Sequence, residues 1–314
     1  MPGRPKVVVI AGPTASGKSA FALCAARAFD GVVINADSMQ VYRELRILTA
    51  RPTPVDEAQA PHRLYGVMSA AEACSAGRWR ELAAAEVDAA RLSGKLPVVV
   101  GGTGLYLRAL IEGLSPIPDV PIGERQAARQ LLADIGNEAM HRLLRERDPV
   151  MAARLDPGNS QRLVRAWEVL QATGRSLAAW QSEAGGGLDA DFLILVLDPP
   201  RADLYAACDR RFLGMMEAGA LDEVAALERL RLDPALPVTK AVGIPPLRRL
   251  LRGEIDRARA IAEAQQATRN YAKRQATWFR HQLPGAHQSS AQFSESLWAE
   301  TFPIIRRFLL TGES

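Results

Sequence analysis

The sequence predicts a parallel β-sheet covered by helices on both faces, with an all-helical domain inserted into it. Three observations carry this. Short apolar, β-branched runs alternate with helical patterns over the first hundred residues, as in parallel strands buried on both faces. After Pro116-Ile117-Pro118 the strands stop, and Ile122 to about Gln181 holds helical segments only. A new apolar run, Phe192 to Leu197, then follows Gly185-Gly186-Gly187 and must rejoin the sheet. The expected division is 1–117 for the first part of the core, 118–188 for the insertion, and 189–314 for the rest of the core with basic C-terminal helices.

The elements follow in order. Val7 to Ala11 reads as a buried strand, Lys18 to about Ala28 as a helix, and Val32 to Asn35 as a second strand. Ala76 to Leu92 has helical periodicity (Trp79, Leu82, Ala83, Val87, Ala90) and stops at Ser93-Gly94. Leu96 to Val100 is a strand that runs into Gly101-Gly102-Thr103-Gly104. The insertion is broken at Gly136-Asn137, Asp156-Pro157-Gly158 and Gly174. Beyond Asp198 the chain reads as helical, with a long segment from about Asp256 to Gln282 and a last one near Leu297 to Leu310.

Composition excludes several classes. The chain has 314 residues and 48% hydrophobic content, enough for a large core without disulfides or a structural metal. Cys24, Cys74 and Cys208 are widely spaced and odd in number, which fits a reducing compartment, and no Cys-x-x-Cys supports a zinc finger. No apolar run reaches the roughly 18 residues of a membrane span. Arg4-Pro5-Lys6 before Val7 to Ala11 imitates a leader, but the apolar stretch is short and enters a glycine loop. A cytoplasmic chain with no membrane partner is expected. The net charge of +4 is mild, but it is polarised. Lys240 to His281 holds ten basic residues against three acids, and Ala264 to Ser294 holds no acid.

Gly12-Pro13-Thr14-Ala15-Ser16-Gly17-Lys18-Ser19 is a complete G-x-x-x-x-G-K-[ST] loop between an apolar strand and a helix. Its backbone N–H groups and the helix N-terminus suit a polyphosphate, Lys18 adds a full charge, and Ser19 can hold Mg²⁺. The core is therefore P-loop NTPase-like. Such a fold usually also places an acid at the end of a neighbouring strand. Here Leu96 to Val100 ends in Gly101-Gly102-Thr103, and Asp198 precedes Pro199-Pro200 as a turn former does. Nucleotide hydrolysis is not implied.

Asp37-Ser38-Met39-Gln40-Val41-Tyr42-Arg43 follows the second strand, at the sheet edge where ligands of open α/β folds bind. By spacing alone, Asp37 and Ser38 read equally well as a helix cap. Thr103 occupies the same edge. On the long helix Arg269, Lys273 and Arg280 fall on one side, without interleaved acids, as a phosphate-contacting stripe would. Tyr271 and Trp278 lie opposite and read as core. In the insertion, Gln161 and Arg165 share a face opposite Leu163, Trp167 and Leu170.

At these residues the sequence resembles the bacterial tRNA dimethylallyltransferases, or tRNA isopentenyltransferases, nearly end to end. The resemblance runs through GPTASGKS from Gly12, INADSMQVYR from Ile34, TARP from Thr49, GGTGLYLRAL from Gly101, QRLVRAWEVL from Gln161 and TRNYAKRQATWFR from Thr268. Two departures stand out: Ala241-Val242-Gly243-Ile244-Pro245 where the family usually has Gly-Tyr-Lys, and Arg51 for the commoner Lys. The resemblance implies transfer of a dimethylallyl group from dimethylallyl diphosphate to the exocyclic amine of the adenosine 3′-adjacent to the anticodon in tRNA, by a monomer using Mg²⁺. It implies Asp37 as proton acceptor and Thr103 as an orienting group, with Gly12 to Ser19 and Arg211 on the diphosphate. It assigns tRNA contact to Asp37, Ser38, Met39, Gln40, Thr103 and Arg125, and to Gln161, Arg162, Leu163, Val164 and Arg165. The basic stripe (Arg269, Lys273, Arg280) completes the tRNA contacts. The adenine would be flipped from its stack. Two other readings remain at this stage: a small-molecule or nucleotide kinase on the same core, and an RNA-binding protein with a vestigial loop.

Overall fold

The computed structural model describes residues 4–183 and 185–311. In chain order the core runs β1 (Lys6–Ala11), α1 (Lys18–Ala28), β2 (Gly31–Asn35), α2 (Pro54–Gln59), β3 (His62–Arg63), α3 (Ala76–Leu92), β4 (Leu96–Gly101) and α4 (Gly104–Ile111). A helical stretch follows: α5 (Ile122–Arg147), α6 (Pro149–Ala152), α7 (Ser160–Thr173) and α8 (Leu177–Gln181). The chain returns with β5 (Asp191–Leu197), α9 (Arg201–Glu217), α10 (Ala220–Arg229), a 3₁₀ turn (Pro237–Lys240), α11 (Ile244–Leu251), α12 (Arg257–Gln282), β6 (His287–Ser289) and α13 (Glu295–Leu310).

The six strands form one sheet in the order β3-β2-β4-β1-β5-β6, and every neighbouring pair is parallel. The four apolar strands are those the sequence predicts. Alternation divides their side chains between two packed faces, with Val7, Val9 and Ala11 on one and Val8 and Ile10 on the other. On the second face, Phe21 of α1 stacks on Phe293, just before α13, with ring centroids 5.2 Å apart, and meets Trp298 of α13 edge-on. The edge strand β6 corrects the expectation of an all-helical chain after Asp198, and the other edge strand, β3, falls in a stretch that the sequence assigns to no element. They span three and two mostly polar residues, too short for a period-two pattern. None of the helices described is long and apolar enough to cross a membrane.

Contacts divide the chain into two compact units, Met1–Ile111 with Leu188–Ser314, and Glu112–Gly187. The second unit has its own apolar centre, built from Met140, Leu144, Leu163, Ala166 and Val169 among others. Its α5 bends at Gly136, where φ is +75°. Asn159 caps α7 by accepting from the Arg162 N–H, and Gly174 ends it in the left-handed region.

Candidate active site

The phosphate loop joins β1 to α1. Gly17 begins the helix at φ +88°, and a Cβ there would stand 2.9 Å from Cβ of Phe293, so only glycine fits. Ser16 is fully buried, and its Oγ has no hydrogen-bond partner among the described residues. Lys18 Nζ donates to the Pro13 carbonyl at 3.3 Å. Burial pulls the Lys18 ammonium down to about 8, against the opposing attraction of Asp37, and Arg211 pushes the same way as burial. Arg211, from α9, donates to Thr14 Oγ1, which places a second cation on the loop; burial lowers its pKa.

Asp37 is positioned by Asn35, the fully buried last residue of β2. The Asn35 carboxamide accepts from the Asp37 N–H at 2.8 Å and donates to the carbonyls of Asp37 and Leu64 at 3.1 and 3.0 Å. Trp79 Nε1 donates to the Asn35 carbonyl at 2.8 Å. Asp37 Oδ1 accepts from the Met39 N–H at 2.9 Å, and Oδ2 has no partner among the described residues. Asp37 caps no helix; its Oδ1 closes a turn with Met39 instead.

Thr103 stands beside this segment. Its Oγ1 accepts from the Ser38 N–H at 2.9 Å and reaches Ser38 Oγ at 3.3 Å. The loop that carries it passes close under α12. A Cβ on Gly104 would lie 2.3 Å from the ring of Trp278, which explains a glycine at that position.

These residues surround a cavity of about 260 Å³ at the C-terminal edge of the sheet. Thr14, Asp37, Ser38, Met39 and Arg211 line it, together with apolar Leu48, Phe212 and Met215. Thr103 lies behind that wall, holding Ser38 rather than lining the space. Tyr271 and Arg274 of α12 and Lys240 complete the wall, and sequence reasoning missed all three roles. Tyr271 is half-buried and faces a cavity rather than the core, with its pKa raised by burial and by Asp37. Ser19 borders a neighbouring cleft of about 890 Å³, which shares Arg211 and Met215 with the first. Gln40 spends its amide inside the protein, donating to the Thr49 carbonyl at 2.7 Å. Arg51 donates to the carbonyls of Tyr42 and Arg43, and Ile244 is buried in the core.

The basic stripe needs correction. Arg269 is paired with Asp209 of α9, its Nη1 2.6 and 2.7 Å from the two carboxylate oxygens. Arg280 is held by Asp198, which follows β5. Arg248 and Arg252 share Glu228, while Arg249 and Arg259 share Glu263. The acids that meet Arg269 and Arg280 are remote in sequence, so an acid-free window does not make an acid-free surface. Lys273 is exposed and has no partner among the described residues.

Of the residues expected on the insertion, Gln161 and Arg162 are exposed, and Arg165 pairs with Glu168 at 2.8 Å. Val164 is half-buried, and Arg125 has its Nε buried without a partner among the described residues. Leu163 is wholly buried in the apolar centre of its unit, so its side chain cannot contact tRNA.

The chain is similar to known proteins along nearly its whole length. The family model described as IPP transferase matches residues 40–282. A tRNA dimethylallyltransferase of Paramagnetospirillum magneticum is 60% identical over 97% of each chain. Another, of Rhodospirillum rubrum, is 56% identical over all of this chain and 98% of its own. Among solved structures, the tRNA isopentenylpyrophosphate transferase of Bacillus halodurans has a TM-score of 0.71 at 30% identity, covering 98% of this chain and 97% of that one. A eukaryotic dimethylallyltransferase acting on tRNA has a TM-score of 0.81 at 27% identity, covering 97% and 79%. The matched span runs from Gln40, beside Asp37, through the cavity wall to the end of α12, and with near full-length identity of 60% the chain belongs to the IPP transferase family.

Proposed function

We propose that this chain transfers the dimethylallyl group of dimethylallyl diphosphate to the exocyclic amine of the adenosine 3′ to the anticodon in tRNA. The observation that carries the reading is a carboxylate with an open oxygen, Asp37 Oδ2, in one cavity with Thr14 and Arg211 of a diphosphate cradle. The C1–O bond of the allylic diphosphate breaks, and its electron pair leaves with the diphosphate. The adenine N6 lone pair forms the new bond to C1, and a proton passes from N6 to Asp37. An exocyclic adenine amine is a weak nucleophile, so a placed base matters here. Loop N–H groups, Lys18 and Arg211 meet the charge that grows on the leaving group, and the unpartnered Ser16 hydroxyl suits the same anion. The apolar wall of Leu48, Phe212 and Met215 suits the prenyl chain.

Mg²⁺ fits the donors present. Ser19 offers one exposed hydroxyl, and no cluster of three or more metal-ligating side chains exists among the described residues. Such a site leaves most coordination to water and phosphate oxygens, which is how Mg²⁺ usually binds. Bound there, it would help neutralise the departing diphosphate.

The test supplies purified protein with labelled dimethylallyl diphosphate, Mg²⁺ and tRNA. Label is expected in tRNA with diphosphate released. ATP consumption with a small acceptor and no label in tRNA would replace this reading with a kinase.

We assign tRNA contact to Asp37 through Gln40 and, in the insertion, to Arg125, Gln161, Arg162, Val164 and Arg165. In the core, exposed Lys273 takes the role the stripe was expected to share. Lys273→Ala is expected to weaken tRNA binding and to lower the slope of log affinity against log salt by about one. Its thermal midpoint and diphosphate affinity stay unchanged. Arg269→Ala should instead lower the midpoint, because Asp209 loses its partner. The reverse pattern in salt titration and thermal melts would exchange these roles.

A further inference from the structure

Gln275 lies on α12 between two loops whose parent strands, β1 and β4, are paired no further than Ala11 and Gly101. It is 6% exposed, and both ends of its side-chain amide are hydrogen-bonded. Oε1 accepts from the Thr14 N–H of the phosphate loop at 2.8 Å, and Nε2 donates to the Gly102 carbonyl at 2.8 Å. The fit is tight, since a Cβ on Gly102 would stand 2.3 Å from Nε2. One planar amide therefore spans the leaving-group side and the acceptor side of the cavity. On one side Thr14 bonds Arg211; on the other Thr103, next to Gly102, holds Ser38 and with it the Asp37 segment.

We propose that Gln275 is a positioning residue that fixes the separation between the diphosphate cradle and the Asp37–Thr103 acceptor side. This deepens the transfer reading and rests on it. A rigid amide with both ends bonded has one length. Without it, the loops keep their own folds but lose the side-chain bridge that ties Thr14 to Gly102 beyond the Ala11–Gly101 register. Transfer needs the allylic carbon and the amine nitrogen in near-contact, so a shift of about 1 Å costs on the order of 100-fold in rate. Binding of either substrate alone draws on one loop and tolerates the shift.

The experiment compares wild type, Gln275→Ala, Gly102→Ala and the double variant. Gln275→Ala is expected to lower the single-turnover rate about 100-fold. Affinities for inorganic diphosphate and for tRNA change less than about threefold, and the amide of Thr14 exchanges hydrogen at least about tenfold faster. Gly102→Ala displaces the same side chain from the other end, so it should lose rate on its own and add little in the Gln275→Ala background. This cycle keeps the question answerable if one variant folds poorly. A folded Gln275→Ala protein with wild-type transfer would overturn the proposal. So would unchanged Thr14 exchange, additive losses in the cycle, or equal loss of rate and both affinities. Absence of transfer by wild type counts against the transfer reading instead, while Thr14 exchange still decides whether the clamp exists.

Discussion

Asp37→Asn and Asp37→Ala are each expected to lower single-turnover dimethylallyl transfer by about 10²- to 10⁴-fold, the span typical of a lost general base. The pair is informative because the two variants differ structurally. Asn keeps an oxygen for the Met39 N–H and preserves the turn, whereas Ala abandons both. Equal losses therefore identify the carboxylate's basicity as the missing element. Affinity for dimethylallyl diphosphate should change little in Asp37→Asn, since the carboxylate serves the acceptor. Near-normal transfer by Asp37→Asn, measured by rapid quench, would reduce Asp37 to a turn former.

Lys18→Met is expected to cost about 10²- to 10³-fold in transfer, the scale for removing a group aimed at developing negative charge. Its pH signature is more specific. With Lys18 pulled down to about 8, the substrate-free protein loses this charge as pH rises through 8. Affinity for inorganic diphosphate should then fall above pH 8, by up to tenfold per unit, and Lys18→Met should lack that fall. The stability sign is opposite. Between about pH 8 and the ordinary lysine value of 10.5, the unfolded chain binds the proton that the folded chain has released. The Lys18 contribution to stability therefore rises with pH across that window. Diphosphate affinity flat from pH 7 to 9.5 would remove Lys18 from the cradle.

What the sequence disclosed tracks the range of the interactions. The four apolar strands, the phosphate loop and α12 are local patterns, and reading them needs only neighbours within a turn or a pleat. Asp37 was legible by its place after β2, although Asn35, which aims it, reads only as the last residue of a strand. Gln275 was not legible. A glutamine among Lys273, Arg274 and Arg280 looks like part of a wet helix face, and its two partners lie 261 and 173 residues away. Tyr271 illustrates the converse: periodicity reads it as core, yet it is half-buried on the wall of a cavity, a difference that a helical period does not carry. The charge reading failed for the same reason. Asp209, Asp198 and Glu228 neutralise arginines they meet only after folding.

The place of β1 in the sheet has a consequence for how the chain matures on the ribosome. β1 is the first strand synthesised of those described, yet it sits between β4 and β5, with Val8 paired to Val98 and Leu193. One flank stays open until about residue 197 has left the exit tunnel, after the whole Glu112–Gly187 unit. For that interval the nascent chain carries an unpaired edge, apolar from Val7 to Ala11, of the kind that recruits other strands. Slowed translation between β4 and β5 prolongs the exposure. A strand with no exposed residue in the finished enzyme is thus an open edge while the chain grows.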